Sequence, residues 1–97
     1  MPTYVTLIKW TSQGIQNIKD SPKRLADYKK ALEAAGGKLV GFYLTMGRYD
    51  IVLITECPSD EVNAALGLST ASSGNIQTET MKAFPESQYR EIIAKIK

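Results

Sequence analysis

The most apolar part of the chain is residues 39–56, where two aliphatic and aromatic segments flank the sequence Gly47-Arg48-Tyr49-Asp50. Successive side chains of a β-strand point to opposite faces of the sheet, so the run Ile-Val-Leu-Ile at 51–54 places aliphatic groups on both faces. A hairpin with one face in water alternates apolar and polar residues instead. The pattern predicts two strands covered on both faces, joined by a two-residue turn with Gly47 at its first central position.

The rest of the chain divides into shorter periodic segments. Strand composition and helical spacing predict, in order, a strand at Thr3–Trp10, a break at Thr11–Gly14, a helix from Ser21-Pro22 to Gly36-Gly37, the hairpin, a helix beginning at Cys57-Pro58-Ser59-Asp60, a strand at Asn75–Phe84 and a final helix after Pro85. The final helix carries Tyr89, Ile92, Ile93 and Ile96 on one side.

The order βαββαβ plus a tail helix predicts an α+β fold of the ferredoxin-like type. Right-handed crossovers place the strands as 4-1-3-2 in an antiparallel sheet, with both crossover helices on one face. The helices leave the other face of the sheet bare, although its side chains are apolar. We therefore expect a second copy of the chain to cover that face, giving a homodimeric α+β barrel. The apolar side of the tail helix leaves higher assembly open.

Composition narrows the possible partners. The chain has 97 residues, 43% hydrophobic and 23% charged, with a net charge of +2. No apolar run reaches the ~18 residues of a membrane span, and the lysines are scattered, so neither a membrane nor a nucleic acid is an expected partner. No basic segment leads into a long apolar stretch at the start, which predicts a cytoplasmic protein without a signal peptide.

The absence of histidine and the presence of a single cysteine limit the catalytic groups and metal sites that the chain can form. Without histidine, the most common general base and metal ligand is missing, as are Ser-His and Cys-His nucleophile pairs. One cysteine, Cys57, with scattered carboxylates does not make a zinc site, and we expect it to be a small buried hydrophobe. The sequence predicts neither a metal nor a cofactor.

The predicted strand order brings polar side chains together at one rim of the sheet. The end of the first strand meets the starts of the third and fourth, so we expect these residues to gather there: Lys9, Trp10, Arg48, Tyr49, Asp50, Asn75 and Gln77. The candidate ligand-binding residues are Lys9, Trp10, Arg48, Tyr49, Asp50, Gln77 and, from the middle of the fourth strand, Glu79. Gly47 has the structural role of a turn residue. Asp50 is expected either to pair with Lys9 or Arg48, to bond backbone amides at the turn, or to contact a ligand.

The chain resembles the GYD-domain family over nearly its whole length. The resemblance rests on Thr3 to Thr11, Gly36-Gly37, Gly47-Arg48-Tyr49-Asp50 with the apolar strand to Glu56, Gly74-Asn75, Thr78-Glu79-Thr80 and Ala83-Phe84. The Gly, Tyr and Asp that name the family stand here as Gly47, Tyr49 and Asp50. The resemblance implies one domain over residues 1–97 with the dimeric α+β barrel fold, and it implies no established activity.

Three functional hypotheses remain. The first is a homo-oligomeric binding or regulatory module that holds a small molecule in the barrel or at its rim. The second is a cofactor-independent enzyme acting on an apolar or aromatic substrate, with Asp50 or Glu79 as general base and Tyr49 or Arg48 as electrophilic helper. The third is a structural assembly unit, which needs only the interface.

Overall fold

A computed structural model describes all 97 residues of the chain. Its elements are β1 (Thr3–Trp10), α1 (Ser12–Gln16), a 3-10 turn (Ile18–Asp20), α2 (Ser21–Ala34), β2 (Lys38–Leu44), β3 (Ile51–Glu56), α3 (Asp60–Ala71), β4 (Ile76–Ala83) and α4 (Glu86–Ala94). None of the helices combines the length and apolar composition that crossing a bilayer requires.

The four strands form one antiparallel sheet in the order β2-β3-β1-β4. This is the predicted order 4-1-3-2 counted from the opposite edge, so the ferredoxin-like prediction is confirmed. The register pairs Ile8 with Ile51 and Trp10 with Ile76, which brings the end of β1 beside the starts of β3 and β4. The chain therefore has a rim where these three strand ends meet.

Helices α2 and α3 cover one face of the sheet, which we call the helical face. Tyr4, Leu32 and Cys57 are buried together there, and Val62 and Leu66 of α3 pack against them. A second buried cluster contains Ile8, Ile51 and Leu53, with Tyr28 of α2 packed on it. The buried β1 residues Tyr4 and Ile8 lie on one face of that strand, and Ile51 and Leu53 lie on the same face of β3, as the pleat of a strand requires. Burial also raises the pKa of the Cys57 thiol.

The opposite face, which we call the open face, is apolar but has no layer over it. Its central side chains are half-buried by their strand neighbours only: Val5, Leu7, Val52 and Ile54. Tyr43 of β2 and Met81 of β4, which flank them, are 58% and 46% exposed. The two-sided apolar pattern of residues 51–54 thus corresponds to one face packed on helices and one face left bare.

The loop between β2 and β3 differs from the predicted two-residue turn. The backbone N–H of Thr45 donates to the carbonyl of Asp50 at 2.8 Å, so a four-residue loop at 46–49 connects the strands. The Thr45 hydroxyl also donates to the Tyr49 carbonyl at 2.6 Å and closes this wider loop. Gly47 has φ +132°, a conformation that side chains with a Cβ rarely adopt, so its structural role fits the geometry.

The segment predicted as a break at 11–14 begins a helix instead. The Thr11 hydroxyl accepts a hydrogen bond from the backbone N–H of Gly14 at 3.1 Å and caps α1. Threonine favours both turns and helix starts, so the prediction of a break recognised the boundary and missed the short helix.

A polar network ties three elements together near the other end of the sheet. The Tyr4 hydroxyl donates to the Asp60 carboxylate, and the Lys82 ammonium lies 3.3 Å from the same carboxylate. Desolvation and then the bond to Asp60 raise the pKa of Tyr4 to about 12. The bond from Tyr4, followed by that from Lys82, lowers the pKa of Asp60. The network fixes the start of α3 over β1 and β4.

Helix α4 is not covered by the rest of its own chain. Every residue from 84 to 97 is exposed. Its apolar side chains include Tyr89, Ile92 and Ile93, which are 57%, 40% and 48% exposed. An amphipathic helix gains stability mainly by burying its apolar side, so α4 is an unpartnered surface of this chain.

Candidate functional site

The Gly47-Arg48-Tyr49-Asp50 loop is held against β1 by two hydrogen bonds of Asp50. Its backbone N–H donates to the Ile8 carbonyl at 2.8 Å. Its carboxylate accepts a hydrogen bond from the backbone N–H of Trp10 at 2.9 Å. The sequence predicted a bond to backbone amides at the turn as one alternative; the carboxylate does bond a backbone amide, but that amide belongs to β1. The pairing with Lys9 or Arg48 is wrong, because no cationic side chain lies within 4.0 Å of this carboxylate.

Tyr49 joins the same loop to β4. Its hydroxyl donates to the Glu79 carboxylate at 2.7 Å. The Arg48 guanidinium lies 5.9 Å from the centre of the Tyr49 ring, a cation–π distance. The bond to Glu79 raises the pKa of Tyr49, and desolvation adds to this, while the Arg48 charge opposes it. Loop and strand are thus joined across the end of β1.

A recess on the open side of the rim gathers most of the predicted residues. It has an empty volume of about 550 Å³, including space open to solvent. Its lining consists of Leu7, Lys9, Arg48, Tyr49, Gln77, Thr78 and Glu79. We call this the rim recess. Five of the seven candidate residues therefore lie together, with two cations and one carboxylate among them.

The other two candidate residues lie elsewhere. The Trp10 side chain is on the helical face, packed beside Ile8, Ile51 and Leu53. Asp50 points its carboxylate at the Trp10 backbone rather than into the recess. Leu7 and Thr78 were not among the candidates, although their positions in β1 and β4 bring them to the recess. Pairing alternate residues across these strands would have found Leu7, because Leu7 is directly opposite Glu79.

Comparison with known proteins decides the family. The family model that describes GYD-domain sequences matches residues 4–93 of this chain. The chain belongs to the GYD-domain family. A full-length relative, the glutamine synthetase and cystathionine beta-lyase binding protein of Thermus thermophilus, is 31% identical over 98 residues and is covered completely, as is this chain.

Solved structures share the fold of this GYD domain at low identity. A protein from Thermus thermophilus superposes with a TM-score of 0.54 at 21% identity, covering 88% of this chain and 95% of that one. A feast or famine regulatory protein from M. tuberculosis, complexed with L-methionine, gives a TM-score of 0.66 at 15% identity. The alignment covers 88% of this chain but 51% of that protein, so the GYD domain spans about half its length.

The GYD domain combines a structural motif with a charged recess. Gly47 and Asp50 shape and anchor the loop, whereas Tyr49 reaches Glu79 in the recess. Neither Lys9 nor Arg48 forms an ion pair within the chain. No three acidic or sulfur side chains come together as a metal site. The arrangement is suited to holding an anionic group by two cations, with Gln77 as a neutral donor and acceptor.

Proposed function

We propose that this GYD domain is a non-catalytic, homodimeric binding module of the cytoplasm, which holds a small anionic molecule at the rim recess. The observation that supports it most directly is the open face. The apolar stripe of Val5, Leu7, Val52 and Ile54 has no helix over it and leads into the recess at Leu7. Contiguous exposed apolar surface of this kind is typical of an interface.

Dimerisation would complete the rim recess. Two open faces packed together remove their aliphatic side chains from water, at about 25 cal/mol per Å² of apolar area before association costs. The same packing would enclose the recess and lower its local dielectric constant, which strengthens the attraction of Lys9 and Arg48 for an anion. Assembly and ligand binding would therefore be coupled.

The enzyme hypothesis has no comparable support. One oxygen of the Asp50 carboxylate accepts a hydrogen bond from the backbone N–H of Trp10, and one oxygen of the Glu79 carboxylate accepts a hydrogen bond from the Tyr49 hydroxyl. Either carboxylate would have to act as a general base through its second oxygen. The binding hypothesis needs no such group, since its cations Lys9 and Arg48 are not committed to an ion pair.

Sedimentation equilibrium tests the dimer. We expect a particle of twice 10.7 kDa at micromolar concentration, and a Leu7→Glu variant that is folded and monomeric. Leu68→Glu is the matched control, because Leu68 lies on α3 away from the open face and is 73% exposed. A stable folded monomer for the unmodified chain would remove the interface from the proposal.

Thermal-shift measurements test the ligand. Amino acids, 2-oxo acids, nucleotides and sugar phosphates would be screened with the unmodified protein and with Arg48→Met. We expect an anionic compound to raise the melting temperature of the first and to lose that effect in the second. If no compound shifts the unmodified dimer, the module has only an assembly role.

Binding to metabolic enzymes is a second candidate function, favoured by α4. The Thermus relative is named for binding glutamine synthetase and cystathionine beta-lyase, and the apolar side of α4 is available for a partner. In biolayer interferometry with these two enzymes immobilised, we expect the unmodified protein to give a binding signal and the Ile92→Glu variant to give none. Ile15→Glu, at a residue 54% exposed on α1, is the control. Equal binding signals for the two variants would show that α4 is not the surface that binds these enzymes.

A further inference from the structure

A second cavity lies on the helical face of the sheet, between α2 and α3. We call it the α2–α3 cleft. Its empty volume is about 790 Å³, including space open to solvent. Its lining includes Ile8, Trp10, Arg24, Tyr28, Gly67 and Thr80. The open face and the rim recess lie on the other side of the sheet.

The cleft exists because small side chains stand where a packed core needs large ones. On the sheet, Thr6, Thr78 and Thr80 line its floor. On α3, Gly67 faces it, and a Cβ placed on Gly67 would meet nothing within 4 Å. Protein interiors are close-packed and rarely leave such space between a helix and its sheet.

The cleft has aromatic walls and a guanidinium group with one unpartnered nitrogen. Trp10 and Tyr28 line it together with aliphatic side chains of the sheet. Arg24, on α2, donates from Nη1 to the Asn17 carbonyl at 3.1 Å. Its Nη2 is buried without a hydrogen-bond partner, and no carboxylate of the chain forms an ion pair with it. A buried unpaired donor is costly, more so on a charged group.

We propose that the α2–α3 cleft binds a small carboxylate with an aromatic or branched aliphatic body. The carboxylate accepts hydrogen bonds from the Arg24 guanidinium, which is the side chain best matched to it in geometry. The apolar body packs against Trp10 and Tyr28 and fills the space over Gly67. The site uses none of the charged residues of the rim recess, so it stands independently of the proposed function.

The fluorescence of Trp10 provides a direct measurement, because Trp10 is the only tryptophan of the chain. The probe is 3-phenylpropionate, and its control is the neutral 3-phenylpropionamide of the same shape. We expect a saturable change with the acid and binding at least about tenfold weaker with the amide, because hydrogen bonds between charged partners are the stronger ones. Equal affinity for acid and amide, or no saturable change with either, overturns the proposal.

Three variants locate the binding. Gly67→Leu fills the cleft and should abolish the response, and Arg24→Met should weaken acid binding about tenfold while leaving amide binding unchanged. Arg48→Met removes the same charge at the rim recess and should leave both affinities unchanged. Melting curves verify that each variant folds. Undiminished binding by a folded Gly67→Leu protein would place the ligand outside the cleft and refute the assignment.

Discussion

The Asp50 carboxylate accepts a hydrogen bond from the backbone N–H of Trp10 at 2.9 Å. The residue pairing between β1 and β3 ends at Ile8 and Ile51, and the Asp50 N–H bonds the Ile8 carbonyl. In an antiparallel ladder, residues two apart direct their backbone N–H and C=O groups toward the same neighbouring strand. The N–H of Trp10 therefore points to the β3 side, as the Ile8 groups do, but β3 offers no backbone acceptor opposite Trp10. The Asp50 side chain therefore continues the ladder where the backbone of β3 has ended.

Asp50→Ala should destabilise the protein by about 1–3 kcal/mol, because it leaves a partly buried backbone donor unpaired. Asp50→Asn keeps an acceptor oxygen, so its free energy of unfolding should fall less than that of Asp50→Ala. The control is Asp27→Ala, whose exposed ion pair with Lys23 spans one turn of α2 and is expected to matter by less than about 0.5 kcal/mol. Urea unfolding measures all three. Equal losses in Asp50→Ala and Asp27→Ala would contradict the ladder role.

Gly47→Ala and Gly67→Ala should change stability in opposite directions. A Cβ at either position meets no atom within 4 Å, so neither variant creates a clash. Gly47 has φ +132°, where alanine is strained by about 1–3 kcal/mol. Gly67 lies inside α3, where alanine is more favourable than glycine by about 0.8–1 kcal/mol. Thermal and urea unfolding of both variants checks the sign, and a shared sign would contradict the argument.

The fold was predictable because its determinants are local. The apolar run at 51–54 and the breaks at Gly36-Gly37 and Pro85 define the elements, and chirality then leaves one strand order. The loop at 46–49 was less predictable, since glycine and polar residues suit several turn lengths. Its length depends on the bond between Thr45 and Tyr49, which no sequence period reveals.

The position of the candidate site along the strands was predictable, whereas the face of the sheet to which each side chain points was predicted less well. Strand order correctly brings Lys9 and Gln77 to one rim, and Glu79, two residues further along β4 on the same face, joins them in the recess. Asn75, which was expected at the rim, lines the α2–α3 cleft instead. Trp10 follows Lys9 directly and therefore points to the other face, which the alternation of the strand implies. The α2–α3 cleft has no such signal. It results from how small side chains of distant elements face one another, and packing of that kind follows only from the structure.

The network of Tyr4, Asp60 and Lys82 should make stability depend on pH in acid. The pKa of Asp60 is lowered in the folded chain, first by the bond from Tyr4. A lowered folded pKa gives stability that is present above the unfolded value of about 3.9 and is lost as the pH falls through the folded pKa. Unfolding of the unmodified protein and Asp60→Asn should therefore differ near neutral pH and converge in acid. A constant difference would show that ionisation of Asp60 is not involved.

The bond between Tyr49 and Glu79 should be visible in alkaline titration. The pKa of Tyr49 is raised, chiefly by that bond. A raised folded pKa gives stability that is complete below the ordinary value of about 10 and is lost as the pH rises through the folded pKa. Glu79→Gln should move the pKa of Tyr49 back toward its ordinary value, whereas Arg48→Met should raise it further, because the Arg48 charge opposes the shift.

Tyrosine ring NMR measures this pKa, with Tyr49→Phe identifying the signal among the five tyrosines. An anion that binds Lys9 and Arg48 would add negative charge beside the Tyr49 hydroxyl, so a ligand of the rim recess should raise the same pKa. A ligand of the α2–α3 cleft lies across the sheet and should leave it unchanged. The titration thus separates the two sites in one sample, and a shift of Tyr49 by 3-phenylpropionate would show that the probe occupies the rim recess instead.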